Sequence, residues 1–276
     1  RTVRAVRSYR PDAAVIPHRS FRSALLGLLS GARRRIGFDA SGGRALLTDI
    51  VPYERGAHEI ERVASLARPL GWSGGPGRVP FRLEVPESGV AEVSELLVSA
   101  GVRETERLLA CAPGSRWTTK RWPPERFAAA LDELEHALEA RAVLVGTADD
   151  AGPAAEVLSA SSGRVVDLTG RLTTAGWLAL VERARLLLSN DSAALHVAAG
   201  VGTPVVAVFG PTVPAQGFGP YTDRGRVAEA DVRCRPCGRH GGETCPDGTL
   251  RCMLDVEADA VVRLGLEAVE GSGRAA

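Results

Sequence analysis

Short apolar runs alternate with segments of helical periodicity along most of the chain. This alternation predicts βαβ units built on parallel sheets, and therefore an α/β protein. In the first part of the chain the pattern predicts strands at 13–16 and 35–38 and helices at 21–29 and 58–70. These elements are too few for a complete domain. Glycines and prolines in residues 71–80 interrupt the periodicity, so we expect this segment to connect two halves.

The alternation becomes stronger from residue 108 onward. Predicted strands and helices follow one another at 108–112, 124–140, 142–146, 152–159, 165–168, 174–183, 186–188, 192–199 and 204–209. Five strands with intervening helices predict a doubly wound domain, whose ligand crevice lies outside the carboxyl ends of the strands. We therefore expect two domains, residues 1–85 and residues 86–276.

Composition narrows the class of protein. The chain has 276 residues, of which 45% are hydrophobic, enough for two buried cores. Its formal net charge of +1 gives no strong field, so we expect no nucleic-acid partner. The longest apolar runs are far shorter than the roughly 20 residues that cross a bilayer. No apolar leader opens the sequence, so we expect a cytoplasmic protein.

Lys120 is the only lysine of the chain, and the other long basic side chains are all arginine. A compact ammonium and a planar guanidinium are not interchangeable in a tight site. Lys120 lies in the segment Ala112-Pro-Gly-Ser-Arg-Trp-Thr-Thr-Lys-Arg-Trp-Pro123, between a predicted strand and a helix. Backbone N–H groups, Ser115, Thr119 and the Lys120 ammonium could cradle a diphosphate there. The alternative is an ordinary loop whose tryptophans only pack.

A second strand-to-helix junction carries Ser189-Asn-Asp-Ser-Ala-Ala-Leu-His196. Asp191 is expected to cap the helix and to leave the N–H groups of the next three residues directed at an anion. The alternative is a routine helix cap, with His196 as a core residue. Two anion sites at strand ends of one sheet favour phosphate binding. The turns at 202–204 and 210–212 shape the crevice floor or are ordinary loops.

Five segments then stand in a recognisable order and spacing. They are 113–123, Gly146-Thr-Ala-Asp-Asp150, Asp167-Leu-Thr-Gly170, Asn190-Asp-Ser to His196, and Gly202-Thr-Pro to Phe209-Gly-Pro-Thr212. This series resembles glycosyltransferase family 9, which contains the ADP-heptose:lipopolysaccharide heptosyltransferases. Upstream, Phe21-Arg-Ser23 and Arg35-Ile-Gly-Phe38 resemble the N-terminal domain of that family. The resemblance therefore covers nearly the whole chain.

The resemblance implies a GT-B fold of two Rossmann-like domains and an inverting glycosyl transfer that requires no metal cofactor. The donor would be a nucleotide-diphosphate sugar, ADP-heptose in the family, and the acceptor a glycan or a lipopolysaccharide-core-like molecule. Lys120 would stabilise the departing diphosphate and Asp191 would meet the transferred sugar, so both are the expected catalytic residues. The implied donor-binding residues are Ser115, Thr119, Lys120, Asp149 or Asp150 at the ribose hydroxyls, Asp191, Ser192, Ala193 and His196.

Two departures accompany this resemblance. The family usually has glycine where Ala193 stands, and glycine would let the backbone approach the donor more closely. The family also begins with a strand and a Gly-Asp loop, near which an acidic residue deprotonates the acceptor, and this chain lacks that segment. We therefore expect an incomplete N-terminal domain without the general base. His18 is the candidate for a substitute base, and His18 and Arg22 are the candidate acceptor-binding residues.

A cysteine-rich segment, residues 234–252, has the spacing C-x2-C-x7-C-x6-C. Close cysteine pairs are typical of tetrahedral zinc sites, so a structural zinc ion is favoured. Reduced packed thiols and disulfides are the alternatives, and a reducing compartment disfavours the disulfides. The four cysteines are Cys234, Cys237, Cys245 and Cys252. Cys111, by contrast, is expected in the core.

Arginine is frequent near the start of the chain, at positions 4, 7, 10, 19, 22, 33, 34 and 35. These side chains form solvated helix faces, or they face an anionic lipid-linked acceptor or the inner face of a membrane, to which the protein would bind peripherally. The alternative functions are a GT-B nucleotide-sugar epimerase and a non-enzymatic zinc module that binds nucleic acid. A nicotinamide dehydrogenase is disfavoured because no G-x-G-x-x-G follows a predicted strand.

Overall fold

The computed structural model describes residues 2–74 and 78–271. Part of the predicted connection, residues 75–77, and the end of the chain, residues 272–276, lie outside the described residues. In the described ranges most strands are separated by helices, and every strand pairing is parallel. The predicted α/β class is therefore confirmed.

The chain divides into two compact units, Arg1–Pro80 and Phe81–Ala276. The division falls after Pro80 rather than after residue 85. Residues 81–85 join the second unit because the Leu83 N–H donates a hydrogen bond to the Gly200 carbonyl at 2.9 Å. The Leu83 side chain also lies where a side chain on Gly200 would otherwise stand. Residues 81–85 therefore belong to the second unit, which contains Gly200.

The first unit holds a three-stranded parallel sheet in the order β1-β2-β3. Its elements are α1 (Thr2–Ser8), β1 (Ala13–Ile16), α2 (Phe21–Leu29), β2 (Arg34–Phe38), β3 (Asp49–Val51) and α3 (Glu59–Ser65). The predictions for β1 and α2 are confirmed, whereas β3 was not predicted because three residues are too few to show a period. The predicted helix 58–70 ends early, and a separate 3-10 turn at Arg68–Leu70 follows, because Pro69 cannot donate an interior helical hydrogen bond.

The second unit is built on a six-stranded parallel sheet in the order β6-β5-β4-β7-β8-β9. Its strands are β4 (Arg107–Ala112), β5 (Ala140–Leu144), β6 (Val166–Asp167), β7 (Ala184–Asn190), β8 (Val205–Phe209) and β9 (Gly225–Glu229). The five predicted strands are confirmed, and β9 is an additional edge strand without a long apolar run. The chain builds the sheet outward from β4 in one direction and from β7 in the other. A ligand crevice is therefore expected between these two strands.

Helices cover both faces of this sheet. They are α4 (Glu87–Ser99), α5 (Pro124–Leu138), α6 (Ala151–Ala160), α7 (Thr174–Arg183), α8 (Ala193–Val201), α9 (Arg251–Leu254) and α10 (Ala258–Glu270). Alternate residues of β4 enter two cores: Leu109 and Cys111 pack with α5, α6 and α10, and Leu108 and Ala110 pack with α4, α7 and α8. Cys111 is fully buried, as predicted.

The predicted helix 124–140 is correct at its start and too long at its end. Pro124 occupies the first turn of α5, where its missing N–H costs nothing. The helix stops at Leu138 because Glu139 takes a left-handed conformation, with φ 49°. The chain then enters β5 at once, which places Ala140 in the sheet.

Candidate functional site

A cleft of about 770 Å³ opens at the carboxyl ends of β4, β5 and β7. This is the point where the strand order of the second unit reverses, the usual place for a ligand in such sheets. Seven of the nine predicted donor-binding residues line it: Ser115, Lys120, Asp149, Asp150, Asp191, Ser192 and Ala193. The two separated loops after β4 and β7 thus form one site.

Lys120 and Asp191 form an ion pair inside this cleft. The Lys120 Nζ lies 2.5 Å from the Asp191 Oδ2, and the two side chains are only 12% and 9% exposed. The Thr212 hydroxyl donates to the same carboxylate oxygen at 2.5 Å. Charges buried to this degree persist only when they are paired and hydrogen-bonded. Because an ammonium has three N–H groups, Lys120 keeps donors for an anionic ligand.

The helix that follows Asp191 is not capped by it, and that prediction is wrong. Ser192 is the N-cap of α8, and its hydroxyl accepts from the Ala194 N–H at 3.4 Å. The Asp191 N–H instead donates to the Val208 carbonyl, which extends the β7 pairing by one residue. The carboxylate turns toward Lys120 because that ion pair satisfies it better than a backbone N–H would. The first turn of α8 still faces the cleft with Ala193.

Asn190 fixes the loop that carries Lys120. Its side chain is fully buried, and its Oδ1 accepts from the Trp122 N–H at 3.0 Å while its Nδ2 donates to the Pro113 carbonyl at 2.8 Å. It therefore clamps both ends of segment 113–122. Within the loop, the Arg121 Nε donates to the Ser115 carbonyl at 3.0 Å. Asn190 belongs to a motif noted in the sequence, but nothing in that motif indicated its long-range partners.

Two predicted donor residues lie elsewhere. Thr119 is buried, and its hydroxyl exchanges hydrogen bonds with the backbone of Gly242, donating to the carbonyl at 2.9 Å and accepting from the N–H at 2.8 Å. It faces the cysteine-rich segment because the 3-10 turn Thr118–Lys120 points successive side chains in different directions. His196 is the fourth residue of α8 and is not among the residues that line the cleft.

Asp149 and Asp150 have different surroundings. The Asp150 carboxylate accepts from the N–H and the hydroxyl of Thr147, both at 2.8 Å, and so closes a capping box. It also lies where a Cβ on Gly114 would stand, 2.0 Å from its Oδ1. Asp149 is exposed at the mouth of the cleft. Of the two carboxylates, Asp149 is therefore better placed to meet ligand hydroxyls.

Residues that the sequence did not single out complete the walls. Arg116 and Arg121 add cationic groups beside Lys120, whereas Val145, Leu172 and Trp177 form an apolar side. Trp177 lies in the first turn of α7, one element beyond the motif that ends at Gly170. A cleft with a cationic side and an apolar side suits a ligand that joins a phosphate group to a flat ring.

The predicted acceptor residues lie in the first unit. His18 and Arg22 line an open surface cleft of about 670 Å³ together with Ser20, Phe21 and Ser23. The His18 Nδ1 lies 2.9 Å from the Ser20 hydroxyl, and Ser20 caps α2 by accepting from the Ser23 N–H at 3.2 Å. This arrangement holds the imidazole next to a helix start.

The four cysteines of the cysteine-rich segment line a second pocket of about 110 Å³ in the second unit. All five cysteines of the chain are free thiols. Burial raises the pKa of the Cys252 thiol to about 11, whereas backbone N–H groups, that of Leu250 first, lower the pKa of the Cys245 thiol. Within residues 2–74 and 78–271, no three His, Cys, Asp or Glu side chains are grouped so that they could hold a metal ion as they stand. The zinc site stays a prediction.

The strand order defines the second unit as a Rossmann-like domain, with a cleft at its switch point that holds a buried charge pair. The chain belongs to glycosyltransferase family 9 (heptosyltransferase), whose model matches residues 1–244. The predicted family is thereby confirmed. No helix in the described part of the chain is both long enough and apolar enough to cross a membrane.

Individual relatives agree with this assignment. Lipopolysaccharide heptosyltransferase 2 of Salmonella typhimurium is 28% identical over 219 residues, which cover 76% of this chain and 63% of that protein. The chain thus spans less than two thirds of that relative. Among solved structures, glycosyl transferase family 9 from Veillonella parvula has a TM-score of 0.82 at 21% identity, covering 98% of this chain and 78% of that one. The E. coli ADP-heptose lps heptosyltransferase II has a TM-score of 0.74 at 23% identity, covering 98% and 80%. The GT-B fold class is confirmed by these neighbours.

Proposed function

We propose that this protein is a glycosyltransferase that transfers a sugar, a heptose from ADP-heptose, to a glycan or lipopolysaccharide-core-like acceptor. The observation that carries the proposal is the buried Lys120–Asp191 ion pair at the switch point of the second sheet. Membership of the heptosyltransferase family supports the choice of sugar and of acceptor. The adenosine diphosphate part of the donor would occupy the cleft of the second unit.

In this proposal Lys120 acts on the leaving group. The bond from the sugar to the diphosphate breaks as the acceptor oxygen bonds to the sugar, and negative charge grows on the departing phosphate oxygens. The N–H groups of Lys120 that Asp191 does not use neutralise this charge, with Arg116 and Arg121 nearby. Fixed cations in a recessed cleft replace the role of a metal ion at the diphosphate. Asp191 orients Lys120 and meets the transferred sugar.

The remaining roles follow the shape of the cleft. Asp149 binds the ribose hydroxyls at the mouth, and Leu172 and Trp177 face the base. The transfer inverts the sugar centre, as a single displacement by the acceptor oxygen requires. The acceptor proton goes to a general base, for which His18 is the candidate in this chain. A cytoplasmic enzyme that touches the inner face of a membrane through its arginines fits a lipid-linked acceptor.

Binding and turnover test the proposal separately. Calorimetry with ADP, UDP and GDP should show that ADP binds most tightly. Asp149→Ala should weaken the binding of ADP more than the binding of inorganic phosphate, which has no ribose. Incubation with ADP-heptose and a deacylated lipopolysaccharide core should release ADP and add one heptose to the acceptor. An epimerised donor without ADP release would favour the nucleotide-sugar epimerase. No binding of any nucleotide by the folded protein would reject the donor site.

A further inference from the structure

The cysteine-rich segment contacts the Lys120–Asp191 pair from two directions. On the lysine side, the backbone of Gly242 and the Thr119 hydroxyl exchange two hydrogen bonds, and the Thr119 N–H also donates to the Gly242 carbonyl at 3.1 Å. Gly241 lies so close that a Cβ there would come within 2.9 Å of the Lys120 Cγ. The stem of the lysine therefore rests against this segment.

On the aspartate side, the contact runs through Thr212 and Arg235. The Thr212 hydroxyl donates to the Asp191 carboxylate, and the Arg235 Nη2 donates to the Thr212 carbonyl at 2.8 Å. The Arg235 Nε also donates to the Gly210 carbonyl at 2.5 Å, and the Cys237 N–H donates to the Pro211 carbonyl at 2.9 Å. Every residue of the turn 210–212 is thus held by the start of the cysteine-rich segment.

The Arg235 guanidinium suits the role of holding the turn 210–212. Its side chain is only 7% exposed, and it further donates to the Ala230 carbonyl at 3.0 Å and to the Glu229 carboxylate at 2.8 Å. Four acceptors in different directions match a planar guanidinium, which offers five N–H groups in a fixed geometry. An ammonium could not satisfy them together. Loss of the guanidinium would leave carbonyls of the turn 210–212 without their donors.

We propose that the cysteine-rich segment positions the Lys120–Asp191 pair, and that Thr212 and Arg235 are the positioning residues through which it acts on Asp191. Thr212 selects the orientation in which the Asp191 carboxylate meets the lysine, and Arg235 holds Thr212 in place. Neither residue lines the cleft, so neither touches the donor itself. The consequence for donor affinity rests on the proposed function, whereas the consequence for Lys120 does not.

The single lysine makes the test direct. Acetylation of Lys120 by an N-hydroxysuccinimide ester, followed at the peptide that contains it by mass spectrometry, measures how firmly the pair is held. Thr212→Val keeps the shape of the side chain and removes the hydroxyl, and it should raise the acetylation rate about 5-fold, the ratio that one hydrogen bond of ordinary net strength gives. Thr212→Ser should restore the wild-type rate. Arg235→Met should raise the rate at least as much.

Arg251→Met is the matched control, because Arg251 lies in the same segment with an exposed ion pair to Asp255. Its acetylation rate should equal that of the wild type. All rates are compared well below the melting temperature of each variant, and Thr212→Val decides the matter if Arg235→Met fails to fold. The proposal is overturned if Thr212→Val acetylates no faster than Arg251→Met, or if Thr212→Ser fails to restore the rate.

A second measurement tests whether the positioning of the Lys120–Asp191 pair affects donor binding. ADP affinity, measured by calorimetry, should fall about 5-fold in Thr212→Val and recover in Thr212→Ser. If wild-type protein does not bind ADP, the proposed function fails while the acetylation rates still decide the positioning. If ADP binds and Thr212→Val changes neither affinity nor acetylation, the positioning fails while the donor site stands.

Discussion

The two units of the chain both use parallel sheets, yet they differ in what they can hold. Among the described residues, the first has three strands and one cluster of four buried apolar side chains, and it leaves several large apolar residues exposed: Val15, Phe21, Leu28, Leu29 and Ile50. The second has six strands covered on both faces. A recessed charge pair needs a rigid surround that satisfies both partners. The second unit provides one, and its cleft is where we expect the phosphate chemistry.

The largest expected effect is on Lys120. Lys120→Ala should lower kcat by roughly 100- to 1,000-fold, the loss seen when one preorganised charge-stabilising donor is removed. Lys120→Arg should recover only part of it, because the guanidinium is larger and spreads its charge over a plane. Steady-state kinetics on transfer from ADP-heptose measure both.

Arg62→Ala supplies the comparison from the first unit. Arg62 is also a recessed cation, 2% exposed and 2.7 Å from Glu59. Its loss should lower the melting temperature and leave ADP affinity unchanged. Near-normal turnover of Lys120→Ala would show that the lysine is incidental, and an equal loss of ADP binding in Arg62→Ala would remove the distinction between the units.

The next effect concerns glycines at close contacts. A Cβ at Gly114 would lie 2.0 Å from the Asp150 Oδ1, whereas a Cβ at Gly43 would lie 2.3 Å from the Ala24 Cβ in the first unit. Gly114→Ala should displace the Asp150 turn and weaken ADP binding by about 10-fold, since overpacking costs of order 1–3 kcal/mol. Gly43→Ala should reduce the melting temperature without weakening ADP binding. Equal ADP affinities in the two variants would contradict this account.

Metal content sharpens the description of the cysteine-rich segment. If the zinc prediction is correct, elemental analysis should find about one zinc ion per chain, bound by four thiolates that release their protons. Chelation should then lower the melting temperature by roughly 5 to 10 °C, and Cys237→Ser should abolish metal binding. Protein purified without chelators that carries no zinc would leave reduced thiols as the state of this segment.

The smallest expected effect is a pH dependence away from the cleft. The backbone N–H and guanidinium of Arg103 lower the pKa of the Glu106 carboxyl from 4.5 to about 2, with Arg141 nearby. A depressed pKa in the folded state stabilises the protein above the unfolded value, and this contribution fades as the pH falls from 4.5 toward 2. Glu106→Gln should therefore lower the melting temperature by about 2 to 4 °C at pH 7 and by less at pH 3. If the difference in melting temperature between the wild type and Glu106→Gln is as large at pH 3 as at pH 7, the lowered pKa of Glu106 is not its cause.

Much of the second unit follows from local patterns. The apolar runs Val205–Phe209 and 108–112 are short and lie next to turn residues, as buried strands do, and the strand-end rule correctly brings Lys120 and Asp191 to one cleft. Strand β9 shows no such run because it is an edge strand with arginine and glutamate in it. No element is predicted over Glu87–Ser99, although Val90, Val93 and Leu97 of helix α4 stand at helical spacing.

What the sequence could not show are the long-range partners. Local sequence predicts that Asp191 caps its own helix. Its carboxylate instead pairs with the ammonium of Lys120, which is 71 positions away in the chain. Thr119 stands next to Lys120 in the chain and yet bonds to Gly242, because a tight turn separates neighbouring side chains. Arg235 and Thr212 bear no local motif that predicts their contact. In each case a hydrogen bond between distant parts of the chain sets the side-chain partner, and the periodicity of the sequence does not predict such bonds.

The central claim is that the donor diphosphate binds against Lys120 in the second unit. Because Lys120 is the only lysine, reductive methylation with 13C-formaldehyde gives one side-chain amine signal besides the terminal amine. Titration with ADP, followed by NMR, should shift that signal in step with the calorimetric binding curve, whereas adenosine should shift it far less. A Lys120 signal that stays in place while calorimetry shows ADP saturating the protein would contradict the account.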